Sequence, residues 1–308
     1  MTPAAVDQGS GGRFDGTTPG PTAYRWRVAS YVWYLLPFSI AVLLIVVAPL
    51  GYALYLSLSR YNLAEPYLGI RFVGLTNYLR AITDPYVLSS IRISFVYVFF
   101  SLVGEIFIGL VLALAASREL PGTKGFRVLL LAPLLLTPAA VGMVWKFFYS
   151  YTGLVNFALG RLGLHPVQWF SVQNALTSII IVSIWQNYPF SFLVILAGLQ
   201  TIPATVVEAA QIDGAAPFKV FAQITLPLIR SFIIIILVIR TINILRYVDL
   251  IFTLTAGGPG RATETFSFLI YTNAFTFFDM GYGSALSFVL VVVSIGIMWF
   301  YLRLMVPE

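Results

Sequence analysis

The chain has 308 residues, of which 59% are hydrophobic and only 10% charged. Soluble domains carry about 25% charged residues, so this deficit excludes an ordinary globular protein and points to one polytopic membrane domain. The formal net charge of +6 comes without basic clusters interleaved with aromatics, which argues against nucleic acid and for membrane lipid as the partner of the basic residues; the lack of cysteine removes disulfides, thiolate metal sites and cysteine nucleophiles.

Residues 1–24, rich in Gly, Pro, Thr and Ser, are expected to be a disordered cytoplasmic tail. The first apolar run begins too late and is too long for a signal-peptide core, so it reads as a membrane helix. Residues 25–308 then form one transmembrane domain. Six spans follow, each near the ~20 residues a helix needs to cross the hydrocarbon core. They cover about 34–58, 93–117, 126–148, 175–199, 231–255 and 284–302. The second contains Glu105; the fifth contains Arg240, Arg246 and Asp249. Continuously apolar runs favour helices over the alternating pattern of a barrel, so the class is an all-α membrane protein. Arg25 and Arg27 before the first span, and Arg118, Lys124 and Arg127 after the second, set the N-terminus inside. Both termini are then cytoplasmic, as is the polar segment between the fourth and fifth spans.

The outer segments are 59–92, with an amphipathic piece near 72–82; 150–174, with Trp169 and Phe170 as interfacial aromatics; and 256–283. The last opens on Gly257-Gly258-Pro259-Gly260, a tight turn that ends the fifth helix, and continues through a piece at 265–271 too short and polar to be a span. His165, before Pro166, reads as a surface residue.

The polar segment at 201–227 has its own logic. Pro203 can open a helix, Ala204 to Ile212 are mostly helix formers, and Ala209 and Ala210 make a small, smooth face. Gly214 supplies a position where the backbone can turn without a Cβ clash. A second short helix over 216–223 leads to Leu226-Pro227. Glu208 and Asp213 offer anchors to a basic partner group. Periodicity alone favours an ordinary amphipathic surface helix with a glycine cap over a docking site.

Polar residues inside a span are expensive and usually face a cavity or a partner helix. In the fourth span Ser183, Gln186 and Asn187 fall at i, i+3 and i+4, Phe190 continues their stripe, and Pro189 should kink the helix. That face suits a sugar, with its hydroxyls and apolar ring faces; it equally suits hydrogen bonding between helices. In the fifth span Arg240, Asn243 and Tyr247 share a face, with Arg240 reading as pore-facing. Arg246 and Asp249 read as a structural ion pair near the outer end. Glu105 is either the counter-charge of Arg240 or a packing contact.

Glu208-Ala209-Ala210, three residues, Gly214, nine residues, then Ile224-x-Leu226-Pro227 resembles the complete signature of the membrane subunits of bacterial ABC importers. Asp213 is typical of the carbohydrate branch. Residues 72–78, 254–259 and 281–285 resemble further family segments, and the glycine-glycine-proline stretch is similar to the maltose-type permease. Ser231, where many relatives carry proline, departs from the pattern. The resemblance implies a type I importer permease fold. It implies that Glu208, Ala209, Ala210, Asp213, Gly214, Phe218, Ile224, Leu226 and Pro227 dock on an ATPase. It places Ser183, Gln186, Asn187, Phe190, Arg240, Asn243 and Ile244 at the substrate pocket. Arg240 and Gln186-Asn187 depart from the maltose pattern and imply a differently shaped or more polar ligand.

The implied function is one permease subunit of a carbohydrate importer, with no covalent chemistry of its own. Its partners are a second permease subunit, two ATPase subunits, an extracytoplasmic solute-binding protein and a sugar. The chain holds no glycine-rich phosphate loop, so no cofactor is expected on it, and ATP and Mg belong to the ATPase partner. An ion-coupled secondary transporter of a polar solute is the alternative, but it would call for inverted repeats and midplane carboxylates, and Glu105 is the one acid well inside a span.

Overall fold

The computed structural model describes residues 34–117 and 123–305. The tail expected at 1–24, and Arg25, Arg27 and Arg118, lie outside the described residues. The chain divides into two compact units, the boundary falling between Ala53 and Leu54.

Four helices are long and apolar enough to cross a bilayer: α1 (Tyr34–Ser57), α3 (Pro85–Ala116), α7 (Ala175–Gln200) and the membrane part, Met280–Arg303, of α13 (Met280–Met305). Two bent helix pairs, each counted as one span, raise the number to six. Four of the six expected spans are thus single helices, the third is a bent pair, and the fifth falls on the second helix of a bent pair that begins at Pro217, earlier than the expected 231. The other elements are β1 (Ser59–Arg60), β2 (Arg71–Phe72), α2 (Thr76–Thr83), α4 (Thr123–Leu131), α5 (Pro138–Phe148), α6 (Leu154–Arg161), α8 (Ala204–Ile212), α9 (Pro217–Leu228), α10 (Arg230–Leu245), α11 (Asp249–Leu254) and α12 (Phe266–Tyr271).

α3 begins well before the expected 93. Asp84 caps it, accepting a hydrogen bond from the Tyr86 N–H at 2.9 Å, and Pro85 occupies the first helical position. Its 32 residues rise about 48 Å, well beyond a hydrocarbon core of about 30 Å.

The third expected span is not one helix. Val128–Leu135 and Pro138–Phe148 meet at 101°. Pro138 excludes the helical conformation at Thr137, which is extended with ψ 140°. Leu136 is extended too, so the ladder stops for two residues. The fifth span bends by 60° between α9 and α10, at Ile229. It ends at Leu245 rather than running on to 255, and α11 follows after a non-helical step. By contrast α7 stays one helix through Pro189.

α3 and α7 pack through small residues. An added Cβ on Gly104 would lie 2.3 Å from Ile184 Cδ1, and one on Gly109 would lie 2.8 Å from the Phe192 backbone nitrogen. Ser101, Ser183 and Ser191 are buried at the same helices. Lipid supplies no hydrophobic drive between helices, so close backbone approach through small residues is how such a pair gains contact. One buried cluster joins Tyr97, Ile179, Val182, Ile244 and Leu250; a second joins Ala113, Phe192, Ile195, Ile229 and Ile236.

The segment after α1 carries a minimal antiparallel ladder, Ser59 opposite Phe72 and Arg60 opposite Arg71, a small departure from an all-α chain. The expected amphipathic piece is α2. Its buried Asn77 donates to the carbonyls of Ser57 and Ser59, 2.9 Å each, and ties the helix to the hairpin. The Gly257-Gly258-Pro259-Gly260 turn, expected to end the fifth helix, instead follows the separate α11, because the fifth-span helix already stops at Leu245; the 265–271 piece is the short α12.

Candidate functional site

Two places carry the polar residues that sequence reasoning singles out. The first is the link between α7 and α10. α8 begins after Pro203, which is extended, and ends at Asp213. Gly214 then adopts φ +77°, where an L side chain is strained. Its N–H bonds the Gln211 carbonyl, and the Ala215 N–H reaches back to the Ala210 carbonyl, both at 3.0 Å. This pair is a Schellman motif, which satisfies the last carbonyls of the helix and fixes the angle at which the chain leaves it. The second helix starts at Pro217 and runs to Leu228. It is longer than the expected 216–223 because its five central residues, Phe221–Thr225, continue it in the wider π form.

This link faces outward. Glu208, Ala209, Asp213 and Gly214 are exposed, Ala210 and Ile224 half-buried, and Leu226 and Pro227 exposed. Phe218 is 78% exposed and Ile212 86%. Ile212 was not singled out from sequence; the signal was an apolar residue directly before the Asp-Gly turn. The link thus carries two exposed large apolar side chains along with the exposed carboxylates Glu208 and Asp213, the mix of groups that suits an interaction site.

The second place is a cavity of about 430 Å³. Its polar wall consists of Gln186 and Asn187 from α7, Arg240 and Asn243 from α10, and Arg246 and Tyr247 from the step after α10. The broken third span closes one side with Leu134, Leu136 and Pro138. The break and the wall depend on each other. Interrupting the ladder at Leu136 frees its carbonyl, and Gln186 Nε2 donates to that carbonyl at 3.1 Å. The Tyr247 hydroxyl donates to Gln186 Oε1 at 3.4 Å, and Asn187 Nδ2 donates to the Ser183 carbonyl at 2.9 Å.

Four of the seven residues expected at a pocket thus line one cavity: Gln186, Asn187, Arg240 and Asn243. The other three lie elsewhere. Ser183 is buried, Phe190 packs against the Phe192 cluster, and Ile244 is buried beside Tyr97 and Val182. The buried residues of α7 recur as one helical stripe, at 178/179, 182/183, 186/187, 191/192 and 195/196, and this stripe includes both the cavity residues and the helix-packing ones, so periodicity alone could not separate them.

Arg240 makes a two-point ion pair with Glu105. Nε donates to Oε2 at 2.7 Å and Nη2 to Oε1 at 2.9 Å. The carboxylate is wholly buried and the guanidinium nearly so. Glu105 is therefore the counter-charge of Arg240, locking α3 to α10 behind the cavity wall. The ion pair expected between Arg246 and Asp249 does not form. That expectation assumed a continuous helix; with the helix ending at Leu245 the two residues flank a break, and i, i+3 proximity no longer holds.

The chain matches, over residues 20–305, the family described as binding-protein-dependent transport system inner membrane component. It is similar to the trehalose/maltose transport system permease protein MalF of Thermococcus litoralis, at 37% identity over 284 residues that cover 91% of this chain and 94% of that protein. It is also similar to the sulfoquinovosyl glycerol transport system permease protein SmoG of Agrobacterium fabrum, at 36% identity over 275 residues that cover 89% of each. Among solved structures it is similar in fold to a chain of a bacterial ABC transporter involved in the import of the acidic polysaccharide alginate, with a TM-score of 0.77, 22% identity, and coverage of 91% of this chain and 98% of that one. Broken spans, an exposed glycine-capped link and relatives matched along nearly the whole length agree, and the chain belongs to the inner-membrane permease subunits of binding-protein-dependent ABC importers.

Proposed function

We infer that this chain forms half of a translocation pathway for a sugar or sugar-like solute. It does so beside a second permease subunit, two ATPase subunits and an extracytoplasmic solute-binding protein. The carrying observation is the exposed link of α8 and α9, whose Glu208-Ala209-Ala210…Gly214 spacing is rigidified by the Schellman turn. With both termini cytoplasmic, the link lies on the side where ATP is. Glu208, Asp213, Ile212 and Phe218 then meet the ATPase.

The covalent path from this link to the cavity is short. α9 passes through the 60° bend at Ile229 into α10, and α10 carries Arg240 and Asn243. Movement of the docked helix reaches the cavity wall as rotation of α10, pinned to α3 by the Glu105 pair. ATP-driven closure of the ATPases then shifts the pathway between its two facings, which requires that they bind one facing better than the other. The sugar class rests on the relatives that transport trehalose, maltose and sulfoquinovosyl glycerol, and on a cavity wall of three amides and a phenol suited to hydroxyls. An ion-coupled carrier is not favoured, because the carboxylate inside the spans is already held by Arg240.

The test is uptake in proteoliposomes holding the whole transporter. Gly214→Val is expected to insert normally but to separate ATP hydrolysis from solute uptake. The φ of +77° costs about 1–2 kcal/mol for a residue with a Cβ, enough to re-aim the link. Unchanged coupling in both Gly214→Val and Glu208→Ala would refute the docking role.

A further inference from the structure

Arg246 stands apart from the other charges of the spans. The helix before it ends with the Arg246 N–H on the Asn243 carbonyl at 3.1 Å, and the next helix begins at Asp249. The side chain is exposed, lines the cavity, and has no ion-pair or hydrogen-bond partner among the described residues. The second cavity arginine is different, since Glu105 already neutralises Arg240. No carboxylate lines the cavity. One positive charge is therefore left without a bonded counter-ion, beside the amides of Gln186, Asn187 and Asn243 and the phenol of Tyr247, with Asp249 acting on Tyr247 only through space.

A cation at a helix C-terminus is favoured by the backbone dipole, which accounts for an arginine at this end of α10. It does not account for a cavity lining that holds this arginine and no carboxylate. A cleft with one sign of charge and low-dielectric walls concentrates ions of the other sign. A guanidinium presents a planar fork matched to the paired oxygens of a carboxylate, sulfonate or phosphate. The neighbouring amides serve as donors and acceptors for hydroxyls, and Leu134, Leu136 and Pro138 offer an apolar wall. The volume of about 430 Å³ lies within the ~300–1,000 Å³ of small-molecule sites.

We propose that Arg246 selects an anionic, hydroxylated solute: a sugar or small glycoside carrying one carboxylate, sulfonate or phosphate. This rests on the cavity being the solute pathway of the importer. Arg246 is the specificity residue, Arg240 with Glu105 is the scaffold behind it, and the amides read the hydroxyls.

The experiment uses the complete transporter with its binding protein in proteoliposomes. Labelled glucuronate, 6-deoxy-6-sulfoglucose and glycerol 3-phosphate are compared with glucose and glycerol, ATP present or absent. At least one anionic probe is expected to be taken up about tenfold or more faster than its neutral counterpart, as loss of a charge-assisted hydrogen bond implies. Arg246→Gln is expected to lower the anionic-to-neutral ratio by about tenfold, and Arg246→Lys to retain much of it. Asn243→Asp, which leaves the arginine in place and puts a carboxylate in the same cavity, is expected to lower the ratio as well. The ratio is read within one preparation, and a melting curve of each assembly confirms folding. Uptake of neutral probes alone, or a ratio unmoved by both Arg246→Gln and Asn243→Asp, overturns the proposal and leaves the importer reading standing. ATP-independent uptake, or no uptake of any probe, overturns both.

Discussion

Replacing Glu105 by glutamine should be the most destabilising single polar change in the bundle. The carboxylate is fully buried and makes two charge-assisted hydrogen bonds to Arg240, at 2.7 and 2.9 Å. Glutamine keeps the shape but removes the charge, so a nearly buried guanidinium is left without its counter-ion. Breaking a buried pair from one side costs about 3–5 kcal/mol, because the surviving charge is uncompensated. Each 1.4 kcal/mol is a factor of ten, so roughly a hundredfold or more of the folded-to-unfolded ratio is lost. The measurement is thermal and denaturant unfolding of the purified permease pair in detergent, run as a double-mutant cycle. Glu105→Gln and Arg240→Gln are each expected to destabilise by several kcal/mol. The double variant, which retains neither charge, is expected to recover much of the loss. If the two single effects simply add, or if Glu105→Gln costs less than about 1 kcal/mol as exposed pairs do, the pair does not lock α3 to α10.

Two further outcomes follow from packing and exposure. Gly109→Ala should weaken the α3–α7 contact by about 1–3 kcal/mol, because its new methyl meets the Phe192 backbone nitrogen at 2.8 Å and backbone cannot swing aside; Gly104→Ala should cost less, since it meets the flexible end of Ile184, and equal melting temperatures for both variants would count against this packing. Ile212→Ser with Phe218→Ser should lower recovery of the ATPase subunits on affinity capture of the permease while leaving helix content unchanged; full recovery would exclude these side chains from the interface.

Much of the architecture was legible from residue order because lipid imposes a simple demand. A span must be apolar over about 20 residues, and the runs that became α1, α3, α7 and α13 meet that demand with no help from neighbours. The link between α7 and α10 was equally local. Pro203, the alanines and Gly214 encode a helix, a left-handed stop and a restart within a few residues, and the structure has that order. The site was legible as far as residue type and spacing go, which brought Gln186, Asn187, Arg240 and Asn243 forward.

What escaped was decided by contacts between distant parts of the chain. Pro133 and Pro138 announce weak points in the third span, yet whether the helix bends there or continues depends on a partner for the freed Leu136 carbonyl. That partner is Gln186, 50 residues on. Ser183, one turn away from Gln186, carries the same polar signal but turns into a helix contact. Arg246 was read as bound to Asp249 because periodicity assumes the helix goes on; the chain stops at Leu245 and the arginine enters the cavity unpaired.

Residue order by itself thus determined the four unbroken spans, a polar hinge with a glycine stop, and the rare charges that must find company inside lipid. Each is a local demand, met within one turn or one span. Only the tertiary structure decided which charge meets which. Glu105 on α3 meets Arg240 on α10, while Gly104 and Gly109 bring the same α3 close to α7, and Arg246 lines the cavity without an ion pair. The physical reason is range: apolar length acts along a helix, whereas charge pairing acts across helices whose spacing only packing can set.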